Sequence, residues 1–201
     1  MAAPVTHIFF ADKFWNKHQE IDKFKFFAWN CLPDIRYIDK DIPRTKYHIN
    51  NITINDILWE KSDFWKGVKF HSFIDENRDL FYEDHKVYIP KISDWILIYS
   101  LKMLEDDILY WKMSFRQDFI KFLQLYEFPT KDISKETIKK WKEILYNYFS
   151  SQPDSKSRKI FILWVWLSED LYIQIENMLD DLYWKYNQKV NEMISFVEKT
   201  V

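Results

Sequence analysis

Glycine occurs once in the 201 residues of this chain, at Gly67. Phosphate-binding P-loops and the G-x-G-x-x-G turn of dinucleotide-binding domains each need several glycines, because their backbone approaches the ligand closely. The G-x-S-x-G nucleophile turn of α/β-hydrolases is excluded for the same reason. Tight two-residue β-hairpins favour Asn-Gly or Asp-Gly, and neither pair occurs here. The scarcity of glycine therefore indicates helices joined by polar or proline-containing turns.

Apolar residues recur at spacings of three and four along nearly the whole chain, which is the period of amphipathic helices. We predict an all-α fold, a single-domain bundle of roughly seven to nine helices. The predicted helices cover about 6–18 with Thr6 as N-cap, 21–31, 62–84 capped by Ser62 or Asp63, 93–112 capped by Ser93 or Asp94, 114–127 ended by Pro129, 134–149 opened by Ser134, and 157 onward in two pieces.

The domain is predicted to span residues 1–201 as one unit. Residues 1–115 are expected to form the half that holds the site, residues 116–201 complete the helical bundle, and a linker is predicted near 150–156. Residues 34–55 contain Pro43, Asn50 and Asn51 and read as a long loop, with room for a short helix. Because a long loop inside a compact domain is more often functional than idle, this segment is a candidate for the site.

Charge and cysteine content limit the classes of partner. The 29 basic and 31 acidic residues give a net charge of −2, so we expect no nucleic-acid partner. Cys31 is the only cysteine; we interpret it as a buried, inert thiol and expect a reducing, cytoplasmic location. We expect no secretory signal and no transmembrane segment, because no long uncharged apolar run occurs.

The most informative of the five histidines lies in the segment Gly67-Val68-Lys69-Phe70-His71-Ser72-Phe73-Ile74-Asp75. His71 and Asp75 are four residues apart, so on a helix they share one face and can bind one divalent metal. The same spacing is also common in ordinary His–Asp pairs on helix surfaces, which remains an alternative. Gly67 lies one turn further back on that face, where the missing side chain would let another backbone or a substrate approach.

Further candidates lie elsewhere in the sequence. His7 has the apolar neighbours Ile8 and Phe9, so we expect it to face the interior. Glu105, Asp106 and Asp107 are consecutive carboxylates in an otherwise apolar helix, and they cannot all face solvent. We therefore expect Asp106 or Asp107 to point inward, towards a cation, towards hydrogen-bond donors, or towards a basic residue such as Arg116 or Lys112.

Several short motifs together resemble a known family. They are Thr6-His7-Ile8-Phe9-Phe10-Ala11, Leu32-Pro33-Asp34-Ile35-Arg36, the segment from Gly67 to Asp75, and Glu105-Asp106-Asp107. The first 115 residues resemble the bacterial zinc-dependent phospholipase C-like proteins and, more loosely, acyl-carrier-protein phosphodiesterase and the HD-type phosphohydrolases. The resemblance implies an all-helical metal-dependent phosphoester hydrolase with a metal site between helices.

The resemblance also implies roles for individual residues. The metal positions match His7, Asp34, His71 and Asp75, and His48 matches a loop histidine. Asp106 or Asp107 matches an acidic position that serves as a metal ligand or a general base, and Arg36 or Lys69 can offset developing phosphoryl charge. The implied cofactor is a divalent metal (Zn, Mn or Fe), and the implied substrate is a small-molecule or a lipid- or carrier-linked phosphoester.

A second hypothesis comes from the differences. The phospholipases have a further His-x-x-x-Glu stretch and the HD enzymes an adjacent His-Asp pair, and neither occurs here. In addition, aromatic residues make up 19% of the chain, which suits a buried partner surface as well as a core. The alternative is therefore a helical interaction or scaffold protein that has kept the fold and lost the chemistry, and a homodimer is left open.

Overall fold

The computed structural model describes residues 3–87, 95–128, 132–164 and 168–201, and these ranges contain helices and no strand. The nine α-helices of the described residues are α1 (Pro4–Lys17), α2 (Lys23–Cys31), α3 (Ile54–Leu58), α4 (Asp63–Asp84), α5 (Trp95–Tyr110), α6 (Arg116–Leu125), α7 (Lys135–Ser150), α8 (Ser155–Trp164) and α9 (Glu169–Thr200). Two short 3₁₀ helices cover Leu32–Tyr37 and Arg44–Lys46. The prediction of an all-α multi-helix bundle is confirmed.

Most helix starts follow the capping residues in the sequence. Ser62 accepts a hydrogen bond from the backbone N–H of Trp65 and caps α4, and Ser134 caps α7 in the same way. The predicted cap at 93 or 94 and the predicted stop at Pro129 lie outside the described residues. The amphipathic pattern near the C terminus forms two helices, α8 and α9.

The start of α1 differs from the prediction. The helix begins at Pro4, and its N-cap residue Ala3 provides no side-chain hydrogen bond. Proline fits the first position because its nitrogen carries no hydrogen that needs a partner. The backbone N–H groups of Val5 and Thr6 instead donate to the carboxylate of Asp106 in α5, at 3.1 and 2.8 Å. Thr6 is therefore not the N-cap, and the first N–H groups of the helix are capped by Asp106, about a hundred positions away.

Helix α4 packs closely against α2, and Gly67 is the reason. A Cβ atom at position 67 would lie 2.5 Å from the Cβ of Trp29 and 2.9 Å from the backbone nitrogen of Asn30. Real Cβ atoms do not approach other atoms so closely, and contacts with backbone cannot be relieved by a rotamer change. The expectation that another backbone approaches at Gly67 is confirmed.

Helix α1 contacts α2, α4 and α5, and α5 lies along α9. Aromatic side chains fill much of the core between these helices, and the fully buried ones include Phe10, Phe14, Phe26, Phe27 and Phe70. Most of the aromatic content is thus core packing, as aromatic burial generally is. None of the described helices combines the length and the apolar character that crossing a bilayer requires.

Candidate metal centre

Side chains of five predicted ligand residues converge at one place between the helices. His7 comes from α1, Asp34 from the first 3₁₀ helix, His48 from the loop before α3, and His71 and Asp75 from α4. Asp34 is the most exposed, at 19% of its side chain, and the other four side chains are at most 7% exposed. We call these five residues the His/Asp cluster. It is open to solvent mainly beside Asp34.

The ligand atoms within the cluster lie close together. His71 Nε2 is 3.3 Å from His48 Nε2 and 3.4 Å from Asp75 Oδ2. His7 Nε2 is 3.4 Å from Asp75 Oδ1. Asp34 Oδ1 is 3.8 Å from both His48 Nε2 and His71 Nε2. Two overlapping triads, His7–Asp34–His71 and His48–His71–Asp75, each keep all their ligand atoms within 4.8 Å of one another.

The shortest of these spacings fit a bound metal better than hydrogen bonds. In a tetrahedral zinc site with bonds of about 2.0–2.1 Å, neighbouring ligand atoms lie about 3.3–3.4 Å apart. Hydrogen bonds between nitrogen and a carboxylate oxygen are shorter, at about 2.7–2.9 Å. The three shortest spacings in the cluster, 3.3, 3.4 and 3.4 Å, match the first value. The nitrogen and oxygen donors together suit zinc, manganese or iron.

The cluster also contains buried polar atoms that lack a hydrogen bond within the described part of the chain. They are both ring nitrogens of His7, Nδ1 of His48 and Oδ1 of Asp34. Leaving such a buried atom unsatisfied costs about 1–3 kcal/mol, so native proteins rarely do it without a reason. A metal ion would satisfy one ring nitrogen of His7 and Oδ1 of Asp34, and these residues can therefore hold one.

Asn30 in α2 orients His71. The ring atom Nδ1 of His71 lies 2.8 Å from the backbone carbonyl of Asn30, and because a carbonyl only accepts, Nδ1 carries the hydrogen. The lone pair of Nε2 is thereby directed into the cluster, as in many histidine metal ligands. The side chain of Asn30 also donates to the backbone carbonyl of His7 at 2.8 Å. Asn30 is not among the site residues predicted from the sequence, where its only distinguishing feature is a single amide within the apolar run 26–32.

The loop that carries His48 is tied to α4. The backbone N–H of Ile49 donates to Ser72 Oγ at 3.0 Å, and the backbone N–H of Asn51 donates to Glu76 Oε1 at 2.7 Å. Helix α4 therefore contributes two members of the cluster and also anchors the loop that brings a third. The segment 34–55, predicted to be a functional loop, contains both Asp34 and His48, and both lie in the cluster.

The environment sets the protonation of the three histidines. Burial, with a further contribution from His71, lowers the pKa of His7 to about 3 and that of His48 to about 2. Burial alone would also lower the pKa of His71, but the carboxylates of Asp75 and Asp34 raise it above its ordinary value. His7 and His48 are thus neutral at physiological pH, which is the form that binds metals.

The acidic segment of α5 lies outside the cluster. Both oxygens of Asp106 accept hydrogen bonds from the first turn of α1, including one from Thr6 Oγ1 at 2.8 Å. Asp107 pairs with Arg158 of α8 at 3.0 Å. The prediction that one of the two points inward is confirmed, since Asp106 is fully buried. The prediction of Arg116 or Lys112 as the basic partner is wrong. Helix packing instead gives Asp106 the backbone donors of α1 and gives Asp107 the guanidinium of Arg158.

Arg36 lies beside the cluster, two residues after Asp34 in the same 3₁₀ helix. Its guanidinium stacks on the ring of Tyr37 at 4.1 Å, and Nη2 donates to the Tyr37 hydroxyl at 2.6 Å. Its Nε atom is buried and has no hydrogen-bond partner within the described ranges. Lys69, the other cation considered, is bound to Glu60 at 2.7 Å. Arg36 is therefore the better placed of the two to meet an anionic ligand.

The chain matches no protein-family model, no curated protein and no solved structure. The resemblance to metal-dependent phosphoester hydrolases therefore stays a prediction from the sequence. What the described structure adds independently is the convergence of three histidines and two aspartates in one buried cluster that can hold a metal ion.

Proposed function

We propose that this chain is a metal-dependent hydrolase that acts on a phosphoester. The observation that carries the proposal is the convergence of His7, Asp34, His48, His71 and Asp75, from four separate segments, in two overlapping triads that could each hold a metal ion. Structural ion pairs rarely gather three imidazoles with two carboxylates in a buried place, because burying such groups without a cation is costly. The sequence motifs of metal-dependent phosphoester hydrolases support the same activity.

Each residue has a defined part in the proposed site. His7, His48 and His71 would offer neutral imidazole nitrogens, and Asp34 and Asp75 would offer carboxylate oxygens. A bound divalent metal would lower the pKa of a coordinated water to near neutrality and polarise a phosphoryl oxygen. Arg36 would stabilise the charge that develops on the phosphoryl group. The partial exposure of Asp34 provides the side from which a substrate enters.

We expect the purified protein to bind Zn²⁺, Mn²⁺ or Fe²⁺ and to gain thermal stability from it. A ligand present at about a hundred times its dissociation constant stabilises the folded state by about 2.7 kcal/mol. For a chain of this size that corresponds to a rise in melting temperature of about 5–10 °C. Elemental analysis and thermal melting with added metal or EDTA measure the effect. A melting temperature that ignores both metal and EDTA would exclude the metal centre.

Hydrolysis is tested separately from binding. Metal-loaded protein should release nitrophenolate from bis(4-nitrophenyl) phosphate or from 4-nitrophenyl phosphate, lose this activity in EDTA and regain it when metal is restored. Arg36→Leu should keep the metal and lose about 10-fold or more of the rate, since it removes a cation from the developing charge. Metal binding without turnover of any phosphoester would contradict the proposed reaction but not the metal centre.

Metal affinity should depend on pH through one histidine. Metal ligands must be deprotonated; His7 and His48 are already neutral because their pKa values lie near 3 and 2, whereas the pKa of His71 is raised above 6.5. Because burial also raises the pKa of Asp34, we expect the logarithm of the apparent affinity to rise by at least one per pH unit from about pH 5.5 to 6.5, and to level off above the pKa of His71. Chelator competition at several pH values measures the slope. A slope near three would mean that all three imidazoles lose a proton.

An interaction protein of the same fold is the second candidate, and exposed tryptophans favour it. Trp59, Trp111 and Trp184 are 84%, 67% and 87% exposed. Tryptophan is enriched at protein interfaces, so these side chains suit a partner surface, including that of a second copy of the chain. Light scattering and the hydrolysis assay separate the two candidates: a strict monomer with metal-dependent turnover supports the enzyme.

A further inference from the structure

A narrow cavity of about 50 Å³ adjoins the His/Asp cluster. His7 and Asp34 form part of its wall, and the rest of the lining is largely apolar, with Met103 of α5, Leu145 of α7 and Ile162 of α8 among its residues. A water-sized group needs about 10–15 Å³ of such a cavity, so the cavity holds about three to five such groups. That is the size of a tetrahedral oxyanion such as phosphate.

Lys102 of α5 is the one lysine among the lining residues of this cavity. The residue is only 6% exposed. No acidic side chain in the described ranges forms a salt bridge with it, and its ammonium nitrogen lies 4.6 Å from the centre of the Tyr99 ring. A buried ammonium group without an ionic partner is costly, because a ring face replaces only part of its hydration. Of the acidic residues of α5, Glu105 pairs with Arg78 and Asp107 with Arg158, and the buried Asp106 accepts hydrogen bonds from the first turn of α1.

We propose that Lys102 is the anion-binding residue of this cavity, which takes a phosphate-sized oxyanion between the Lys102 ammonium group and the His/Asp cluster. The inference rests on the proposed metal centre for one side of the oxyanion, because without a metal the carboxylate of Asp34 repels an anion. The inference that Lys102 binds the oxyanion rests on the burial of Lys102, on the absence of a salt bridge to it in the described ranges and on the size of the cavity. Lys102 would thereby select substrates that carry an oxyanion group beside the bond to be cleaved.

The test is isothermal titration calorimetry of inorganic phosphate with three proteins: wild type, Lys102→Met and Lys66→Met. Each protein is titrated twice, once loaded with Zn²⁺ and freed of excess metal, and once without metal. Lys66 is the matched control, since it is also largely buried, at 9% exposure, and does not line the cavity. We expect loaded wild type and Lys66→Met to bind phosphate, and Lys102→Met to bind it at least about 10-fold more weakly. Zinc affinity should be the same in all three proteins.

Thermal melting is the control that tests whether Lys102→Met is folded. Without phosphate, Lys102→Met should melt at least as high as wild type, because methionine fills a similar volume and removes a buried unpaired charge. Equal phosphate affinity in Lys102→Met and wild type, or no phosphate binding by wild type in either metal state, would overturn the proposal. If wild type binds no metal but binds phosphate through Lys102, the metal centre is excluded, and of the anion site only the contact with Lys102 stands.

Discussion

His71→Ala is expected to abolish metal-dependent stabilisation and activity together. The substitution removes the imidazole that belongs to both ligand triads and is nearest to His48 and Asp75. Loss of an outer partner of a metal ligand typically costs about 10–100-fold in affinity, and loss of the ligand itself costs more. The metal-free fold should lose about 1–3 kcal/mol, since the carbonyl of Asn30 is left without its donor. Alanine keeps the helix itself intact.

The matched control for this variant is His85→Ala. His85 lies at the end of the same helix, is exposed, and bonds to the backbone of Phe81 rather than to the cluster. Its removal should leave metal affinity unchanged. Asp75→Ala should behave like His71→Ala, because Asp75 is within 4.0 Å of all three histidines. Thermal melting with a metal series and EDTA measures all four proteins. Metal stabilisation that survives in His71→Ala would remove His71 from the site.

Gly67→Ala is expected to destabilise the protein and to weaken metal binding at once. The new Cβ would lie 2.5 Å from the Cβ of Trp29 and 2.9 Å from the backbone nitrogen of Asn30, so α2 and α4 must move apart. Overpacking of this kind costs about 1–3 kcal/mol, against about 1 kcal/mol that alanine gains over glycine in a helix. The displacement also moves the Asn30 carbonyl away from His71, which releases the orientation of the ring.

Urea denaturation and metal titration of Gly67→Ala provide the measurement. Glu83→Ala, an exposed substitution on the same helix, is the control and should change stability by no more than about 0.5 kcal/mol. Gly67→Val should be worse than Gly67→Ala, because its branched side chain adds two methyl groups at the same contact. A Gly67→Ala protein as stable as wild type, with the same metal affinity, would contradict the role assigned to the close approach of α2.

Much of the helical structure could be predicted because it depends on neighbours in the chain. Ser62 and Ser134 cap helices through backbone groups three residues away, and His71 and Asp75 share a face because a helix turns every 3.6 residues. The predicted inward orientation of His7 also held, since it follows from the apolar period of α1. Such predictions need no knowledge of which helix packs on which.

The predictions that were wrong concern residues whose partners are far away along the chain. Thr6 has the residue type of an N-cap, yet Pro4 and Ala3 begin the helix and Asp106 binds its first N–H groups. The carboxylate of Asp106 therefore serves as a helix cap. Asn30 showed only an isolated amide in an apolar run and Lys102 showed no local signal, because the carbonyl of Asn30 acts at a close helix crossing and the role proposed for Lys102 depends on the wall of a cavity.

The sequence by itself determined the all-helical class, the chemistry available and Gly67 as a position where another backbone or a substrate could approach. These are properties of composition and of local periodicity, which act over a few residues. Only the tertiary structure decided that Asp34 and His48 join His7, His71 and Asp75, and that Asp106 does not. Distances between residues far apart in the chain are set by the packing of whole helix faces, and no local pattern encodes them.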